Sequence, residues 1–357
     1  GKFTQGLNDA LMDNLYRWLF GKIAINGVTL DLDSTVMTRY GTQEGAMRGY
    51  NPAKRGRASH HPLMAFVVDL RMIANCWLRS GNSSSANNVQ AFLANTLHRL
   101  SDKRVCLLRA DSGFSDSAFL DHLDTQPMHY LIALRQNQPL QRALVNADNW
   151  WSLIDEDGRP VPGIELTRFA YQPDAWSVPR WVVGIRQHTA LRADPKGKTL
   201  NLFADDPVIG SWRFSALTTD LDLSAETVWR MYRGRADCEN RIKELKYDFA
   251  ADSFNMKDFW ATEAALNVVM LAYNLMSLFR QALLKTSLVR SPSGPVQHTL
   301  QTLRYKLFAK AAYITTEARK PILNLAVAMQ QRVWMKGLWE ATNTFDLPAK
   351  FSPIYPP

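Results

Sequence analysis

The order of predicted strands and helices between residues 27 and 136 constrains the fold more than any other feature of the chain. Alternating apolar and polar residues predict a strand from Val28 to Asp33, because successive side chains of a strand point to opposite faces. The elements that follow are predicted strands at 63–70 and 72–81, a helix at 89–100, a strand within 104–114, a helix at 115–123 and a strand at 129–135. This order predicts an α/β fold in which helices flank a sheet.

Acidic residues lie on two of these strands. Asp31 and Asp33 share one face of the first strand, and Asp111 ends the fourth. Two carboxylates on one face of an apolar strand are costly unless water or a cation satisfies them. The face could therefore be exposed to water, as on an edge strand, or one of the carboxylates could be a metal ligand.

A charged helix is predicted over residues 224–246, SAETVWRMYRGRADCENRIKELK. Tyr232, Arg235, Glu239 and Lys246 lie at i, i+3, i+7 and i+14, so they share one stripe of a continuous helix. One carboxylate, two cations and a phenol are not typical of a core-facing stripe. A solvated charged face is the simpler interpretation, and a functional site is the alternative.

The spacing Y-x2-R-x3-E-x6-K in this helix resembles the signature of the DDE transposases of bacterial insertion sequences, in the YREK group. The DST triplet at 33–35 is similar to the D-[ST]-T around the first catalytic Asp of that group, so we predict Asp33, in preference to Asp31, as this residue. The DSGF sequence at 111–114 resembles the D-x-G-F turn around the second catalytic Asp. TRYGTQEGA and GYNPAKRGRASHHP resemble the thirteen-eighty-like branch, whose full-length members carry an N-terminal region that we expect to be lacking here.

The resemblance implies an RNase H-like fold, and the order of strands read independently has the same connectivity. It also implies that Asp33, Asp111 and Glu239 are the catalytic carboxylates and the metal ligands. These hard oxygen donors would hold two Mg²⁺ ions per active site, with Mn²⁺ as a substitute.

DNA is the partner that the resemblance implies. Tyr232, Arg235 and Lys246 are expected to contact phosphates and a flipped base. A net charge of +9 suits a polyanionic partner. Basic residues of the loop at 41–62 could follow a phosphate backbone, namely Lys54, Arg55 and Arg57. We expect double-stranded DNA, as terminal inverted repeats and target, to be bound by a dimer.

The predicted domain organisation is a remnant of an N-terminal helical region at 1–26, the first part of the core at 27–136, a β-rich insertion at 137–211, the second part of the core at 212–290, and a C-terminal helical region with a tail at 291–357. Strands are predicted in the insertion at 180–188 and 198–204, and helices follow it at 259–284, 298–312 and 315–342. The insertion's tryptophans could stack on a flipped base or belong to the core, namely Trp150, Trp151, Trp176 and Trp181.

Other features exclude several classes of site. The three cysteines show no zinc-ligand spacing, which favours a reduced bacterial cytoplasm, with the protein associated with the nucleoid. The apolar helix at 264–279 carries Asn267 and Asn274 and is shorter than a membrane span, so no membrane partner is expected. His60 and His61 point apart on a strand and receive no metal role.

The predicted function is a DNA transposase that cleaves and joins strands at insertion-sequence ends, by a metal-dependent cut-and-paste reaction through a hairpin. Two alternatives stay open at this point. One is a non-catalytic DNA-binding derivative of a transposase, and the other is a metal-dependent nuclease of the same fold.

Overall fold

A nine-stranded mixed sheet forms the centre of the computed structural model, which describes residues 3–155, 157–191, 206, 209–254, 256–284, 290–291, 294–295 and 298–355. The α-helices of this part of the chain are α1 (Gln5–Gly21), α2 (Val89–Arg99), α3 (Ser117–Asp124), α4 (Gln138–Val145), α5 (Ala225–Arg233), α6 (Ala236–Asp248), α7 (Phe259–Leu278), α8 (Leu300–Leu303) and α9 (Met329–Asn343). The strands are β1 (Ile23–Ala24), β2 (Val28–Ser34), β3 (Met37–Thr38), β4 (Met47–Arg48), β5 (Ala58–His60), β6 (Leu63–Val67), β7 (Met72–Trp77), β8 (Val105–Ala110), β9 (His129–Ala133), β10 (Trp151–Ile154), β11 (Pro160–Tyr171), β12 (Arg180–His188), β13 (Trp212–Thr219), β14 (Arg290–Ser291), β15 (Gly294–Pro295), β16 (Ala312–Glu317), β17 (Lys320–Leu325) and β18 (Ala349–Lys350).

Five strands in the order β7-β6-β2-β8-β9 form the first part of the sheet. The pairs β2–β6 and β6–β7 are antiparallel, whereas β2–β8 and β8–β9 are parallel. This is the connectivity of the RNase H-like fold, so the predicted fold class is confirmed. Because β2 and β8 run parallel, their carboxyl ends meet at the same edge of the sheet.

Strand β2 lies in the middle of the sheet and both of its faces are buried. Leu30 and Leu32 lie in the main hydrophobic core. Asp31 and Asp33 point to the opposite face and are also buried. The alternative that this face is exposed to water, as on an edge strand, is therefore wrong, and these carboxylates need partners inside the protein.

The strands contributed by residues 137–211 continue the same sheet. Strand β13 pairs antiparallel with β9, and β12, β11 and β10 follow in order. The predicted strand at 180–188 is β12. The predicted strand at 198–204 lies outside the described residues. The boundaries of the predicted insertion stay a prediction.

The C-terminal region departs from its predicted helices. The helix predicted at 315–342 is wrong in its first half, because β16 and β17 form an antiparallel hairpin there. Ala318 and Arg319 close the hairpin with φ angles of 48° and 61°. Two successive left-handed residues match the twist of a hairpin, and the β-branched residues at 314–316 favour a strand. The helix predicted at 298–312 is reduced to α8 and one π-helical turn.

Helix α7 covers the open edge of the sheet at β7. Asn274 accepts a hydrogen bond from the backbone N–H of Ile73 at 2.7 Å and donates one to its carbonyl at 2.8 Å. Ser277 donates to the carbonyl of Arg71 at 2.7 Å. Among the described helices, the segment Phe259–Leu283 is long and apolar enough to cross a membrane by length and composition. Its buried polar contacts with β7 make it a core helix, as predicted.

Replacing Asn274 with Leu should destabilise the protein, because it leaves the N–H and C=O of Ile73 buried without partners. Each unpaired buried group costs about 1–3 kcal/mol, so we expect the free energy of unfolding to fall by roughly 2–6 kcal/mol in urea denaturation. Asn267→Leu is the matched control on the same helix. Asn267 donates only to Glu263 of its own helix, and its Oδ1 has no partner among the described residues. Equal losses in the two variants would contradict this role of Asn274.

Candidate active site

Asp31 is neutralised inside the sheet by Arg109. The two residues are register partners on the parallel strands β2 and β8. Arg109 donates from Nε to Oδ1 at 2.7 Å and from Nη2 to Oδ2 at 2.9 Å, and both side chains are fully buried. Because both oxygens of Asp31 are used, this carboxylate is a structural partner of Arg109. The choice of Asp33 over Asp31 as the functional residue stays a prediction, and the pairing of Asp31 with Arg109 is consistent with it.

Asp33, two residues further along β2, has a different environment. Its Oδ1 accepts a hydrogen bond from the backbone N–H of Ser34 at 2.7 Å, and its Oδ2 lies 3.1 Å from Nη2 of Arg235. Burial raises the pKa of Asp33 from 3.8 to about 6. The guanidinium of Arg235 opposes this rise, and the negative charge of Asp111 adds to it. Asp33 and Asp111 are thus electrostatically coupled at one edge of the sheet.

Asp111 follows the last residue of β8 and starts a 3₁₀ turn at 112–114. Its Oδ1 accepts a hydrogen bond from the N–H of Gly113 at 2.9 Å, and Phe114 anchors the turn in the core. A Cβ at Gly113 would lie 2.8 Å from Oγ of Ser85 and 3.0 Å from Oδ1 of Asp111. The DSGF sequence therefore holds Asp111 at the strand end. Because Gly113 has no side chain, the side chains of Ser85 and Asp111 can both lie close to its backbone.

The helix predicted at 224–246 is helical except for a break at Gly234 and Arg235, between α5 and α6, so the prediction is wrong only in its continuity. Arg109 donates from Nη1 to the carbonyl of Met231, which would accept from the N–H of Arg235 in an uninterrupted helix. The N–H of Arg235 binds the carbonyl of Tyr232 instead, at 2.9 Å. A buried side chain from the sheet thus competes with the helix for its backbone.

The interruption depends on close packing at Gly234. A Cβ at this position would lie 3.0 Å from Oη of Tyr355 and 3.1 Å from Nη1 of Arg109. Tyr355 comes from the C-terminal tail, and its ring lies under the Arg109 guanidinium at 5.7 Å. Sheet, helix break and tail therefore meet at Arg109.

Three of the four signature residues face the carboxylates. Arg235 is buried and also donates to the carbonyl of Leu32 at 2.9 Å. Lys246 donates from Nζ to the carbonyl of Val36 at 2.9 Å, close enough for Asp33 to act on its charge. Burial raises the pKa of Tyr232 to about 12, so its hydroxyl stays protonated.

Glu239 is placed differently from the other predicted carboxylates. It lies in the first turn of α6 and its side chain is exposed. It directly follows Cys238, which is buried and contacts Asp33. No group of three His, Cys, Asp or Glu side chains in the described part of the chain is arranged to hold a metal ion. The structure brings Asp33 and Asp111 together, while the role of Glu239 stays a prediction.

The predicted basic residues of the loop, Lys54, Arg55 and Arg57, are all exposed. Asn51 organises the turn by accepting a hydrogen bond from the N–H of Lys54 at 2.9 Å. Arg57 lies over the ring of Tyr40 at 5.8 Å. The two remaining cations project from the turn, where a phosphate backbone could reach them.

The four predicted tryptophans each contact a charged side chain. Arg guanidinium groups lie 4.6 Å from the ring of Trp150, 5.0 Å from Trp176 and 4.6 Å from Trp181, and Trp151 donates to Glu226. Trp150 also packs edge-on against Phe214. These contacts give each ring a structural role, and no geometry selects one of them for base stacking.

A cavity of about 550 Å³ lies beside the turn of Asp111, between β9, β13 and α5. Its lining comes from these elements, from β12, from the 3₁₀ turn and from the segment after β9, and it includes Ser112, Gln136, Phe214, Trp229, Tyr232 and Arg233. The amide of Gln136 is buried, and neither its oxygen nor its nitrogen has a partner among the described residues. Sequence reasoning missed Gln136. The available signal was a polar residue just after a buried strand.

The carboxylate pair fits a divalent cation. Asp33 and Asp111 offer hard oxygen donors at adjoining strand ends, and burial together with like charge makes the ionised pair costly without a counter-charge. In this structure Arg235 supplies such a charge to Asp33.

The sequence family described as Transposase DDE domain group 1 matches residues 3–343. The chain belongs to this family. A cryo-EM structure of the piggyBac transposase synaptic complex with hairpin DNA is similar over 78% of this chain, at 13% identity and a TM-score of 0.44. That alignment covers 51% of the piggyBac chain, so this transposase domain spans about half the length of that protein. No curated protein sequence matches the chain.

Substitutions at the two aspartates of β2 should separate a structural from a functional role in this transposase domain. Asp31→Asn leaves the buried charge of Arg109 without its partner, so we expect a loss of about 3–5 kcal/mol in the free energy of unfolding. Asp33→Asn should abolish DNA cleavage by protein that remains folded at 25 °C. Full cleavage by Asp33→Asn, with none by folded Asp31→Asn, would reverse the assignment.

The stability of the metal-free transposase domain should depend on the ionisation of Asp33. Below pH 4 the carboxyl is protonated in both the folded and the unfolded state. Between pH 4 and pH 6 only the unfolded state loses the proton, so stability is lost as pH rises through this window. Relative to Asp33→Asn, the wild type should lose up to about 3 kcal/mol between pH 4 and pH 7. Parallel pH profiles of the two proteins in urea denaturation would contradict this expectation.

Proposed function

We propose that this chain catalyses metal-dependent cleavage and strand transfer of DNA at the ends of a bacterial insertion sequence. The observation that carries the proposal is the pairing of Asp33 and Asp111 at one edge of the sheet, with Arg235 and Lys246 beside them. Membership of a transposase DDE family supports the reaction class. The YREK spacing and the loop sequences support the insertion-sequence group and its thirteen-eighty-like branch.

Asp33, Asp111 and Glu239 would hold two Mg²⁺ or Mn²⁺ ions. When bound, such ions activate the attacking hydroxyl and stabilise charge on the entering and leaving oxygens. Glu239 is exposed and lies in the first turn of α6, directly after the buried Cys238 that contacts Asp33.

The cations of the site are suited to bind the scissile phosphates. The guanidinium of Arg235 is planar and can form two parallel hydrogen bonds, whereas Lys246 offers a point charge. Each charge-assisted hydrogen bond in a partly desolvated site contributes about 1.5–3 kcal/mol. The protonated hydroxyl of Tyr232 can donate to a third oxygen.

The cavity beside Asp111 supports excision through a hairpin, in which a base leaves the duplex. Its aromatic lining suits a nucleobase ring, and Gln136 can both donate to and accept from a base edge. We assign the flipped base to this cavity in preference to the four predicted tryptophans.

Duplex DNA, as terminal repeats and target, is the proposed substrate of a dimer that forms on the DNA. The net charge of +9 and the exposed cations of Lys54 and Arg55 support it. The three free cysteines agree with action in the bacterial cytoplasm, near the nucleoid.

The decisive experiment supplies precut terminal-repeat ends, supercoiled target plasmid and Mn²⁺. Wild type should give a joined product. Asp33→Asn, Asp111→Asn and Glu239→Gln should reduce joining and cleavage to background, because each removes a proposed metal ligand. DNA binding measured by anisotropy should persist in all three. Asp174→Asn, in an exposed loop between β11 and β12, is the control and should act as wild type.

Other outcomes identify the two alternatives. Nicked plasmid without a joined product would indicate a metal-dependent nuclease. DNA binding without any cleavage by wild type would indicate a non-catalytic derivative. The intact pair Asp33 and Asp111 argues against the non-catalytic derivative, because a protein that only binds DNA does not need two coupled carboxylates.

A further inference from the structure

Ser34, which directly follows Asp33, is held by side chains from two other segments. Its Oγ lies 3.0 Å from Nε2 of His61 and 2.9 Å from Oγ of Ser85. His61 is buried, with 7% of its surface exposed. A buried imidazole that contacts the residue after a proposed metal ligand deserves a functional explanation beyond packing.

The direction of these hydrogen bonds is fixed. Nδ1 of His61 lies 2.8 Å from the carbonyl oxygen of Ser83, which can only accept, so Nδ1 carries the hydrogen. Burial lowers the pKa of His61, and the nearby charge of Arg79 acts in the same direction. The neutral ring therefore accepts at Nε2 from the hydroxyl of Ser34. The oxygen of Ser34 is then free to accept from Ser85.

The segment that carries Ser83 and Ser85 is itself tied down by Arg79. This guanidinium donates to the carbonyl of Ser84 at 2.8 Å and to the carbonyl of His61 at 3.1 Å. The histidine and the serine segment are thus held by one buried cation, which makes them a rigid support.

The support reaches both carboxylates. The backbone N–H of Ser34 fixes Oδ1 of Asp33 at 2.7 Å. Ser85 packs against Gly113, whose N–H fixes Oδ1 of Asp111 at 2.9 Å. A continuous set of contacts therefore links the two proposed ligands through His61, Ser34 and Ser85.

We infer that His61 is a positioning residue, which fixes Asp33 relative to Asp111 for cation binding through Ser34 and Ser85. The inference rests on the proposed function. His61 is not itself a ligand, because both of its ring nitrogens are occupied by hydrogen bonds within the protein.

Mn²⁺ binding measured by calorimetry tests the inference without relying on activity. Loss of a hydrogen bond that orients a ligand typically weakens metal affinity about 10–100-fold. His61→Leu should therefore bind Mn²⁺ at least about tenfold more weakly than wild type. His61→Gln, which keeps an acceptor for Ser34, should restore part of the affinity.

His60→Leu is the matched control. This neighbouring buried ring contacts Arg39 and the carbonyl of Glu44 instead of Ser34. It should lower the melting temperature about as much as His61→Leu and leave Mn²⁺ affinity unchanged. Equal Mn²⁺ affinities in the two leucine variants would overturn the inference.

A second variant covers the case in which His61→Leu does not fold. Ser85→Ala removes the hydroxyl between Ser34 and the Asp111 turn, and it should also weaken Mn²⁺ binding. Unchanged affinity in Ser85→Ala would then overturn the inference. The proposed function fails separately, when wild type neither binds Mn²⁺ nor cleaves DNA.

Discussion

The buried pair between Asp31 and Arg109 determines how the functional edge of this protein is built. The guanidinium of Arg109 links β8 to β2 through Asp31 and also donates a hydrogen bond to the carbonyl of Met231. That contact interrupts the helix and places Arg235 against Asp33. A buried ion pair contributes little net stability compared with apolar residues of the same size, but removal of one partner is costly. Its value here is that it specifies one arrangement of strand, helix break and tail.

The second carboxylate of β2 is left with an incomplete set of partners. Arg235 offers one contact at 3.1 Å, whereas Arg109 gives Asp31 two shorter hydrogen bonds. Asp111 adds negative charge beside Asp33, and Arg235 and Lys246 supply two cations, so the charged groups around Asp33 balance in number. Burial nevertheless raises the pKa of Asp33, so these cations do not fully offset the cost of a buried carboxylate. A divalent cation would offset the remainder, because carboxylate oxygens are hard donors that suit it.

The sequence predicted those parts of the fold that depend on local pattern. Period-two alternation identified β2, and apolar runs identified β6, β7 and β8. The parallel pairing of β2 with β8 brings Asp33 beside Asp111, as the family resemblance implied. The helix break could not be predicted, because its cause is a side chain more than one hundred residues away in the sequence. The hairpin of β16 and β17 was missed because its turn residues are Ala318 and Arg319, and neither is a usual residue for left-handed backbone. Arg109 itself carried a signal, as a cation in an apolar strand opposite an aspartate.

The helix break separates Tyr232 from the other three signature residues, because Arg235 caps α6 and Glu239 and Lys246 lie within it. Separation of α5 from α6 gives α6 its own N-terminus, and Glu239 lies in that first turn. The free backbone N–H groups there favour a carboxylate and stabilise it in water by about 0.3–1 kcal/mol. Clustering of Glu239 with Asp33 and Asp111 would add repulsion between like charges, which a bound cation would offset. Arg235 lies at the break and Glu239 one turn later, so one short segment carries both the residue that neutralises Asp33 and a proposed metal ligand.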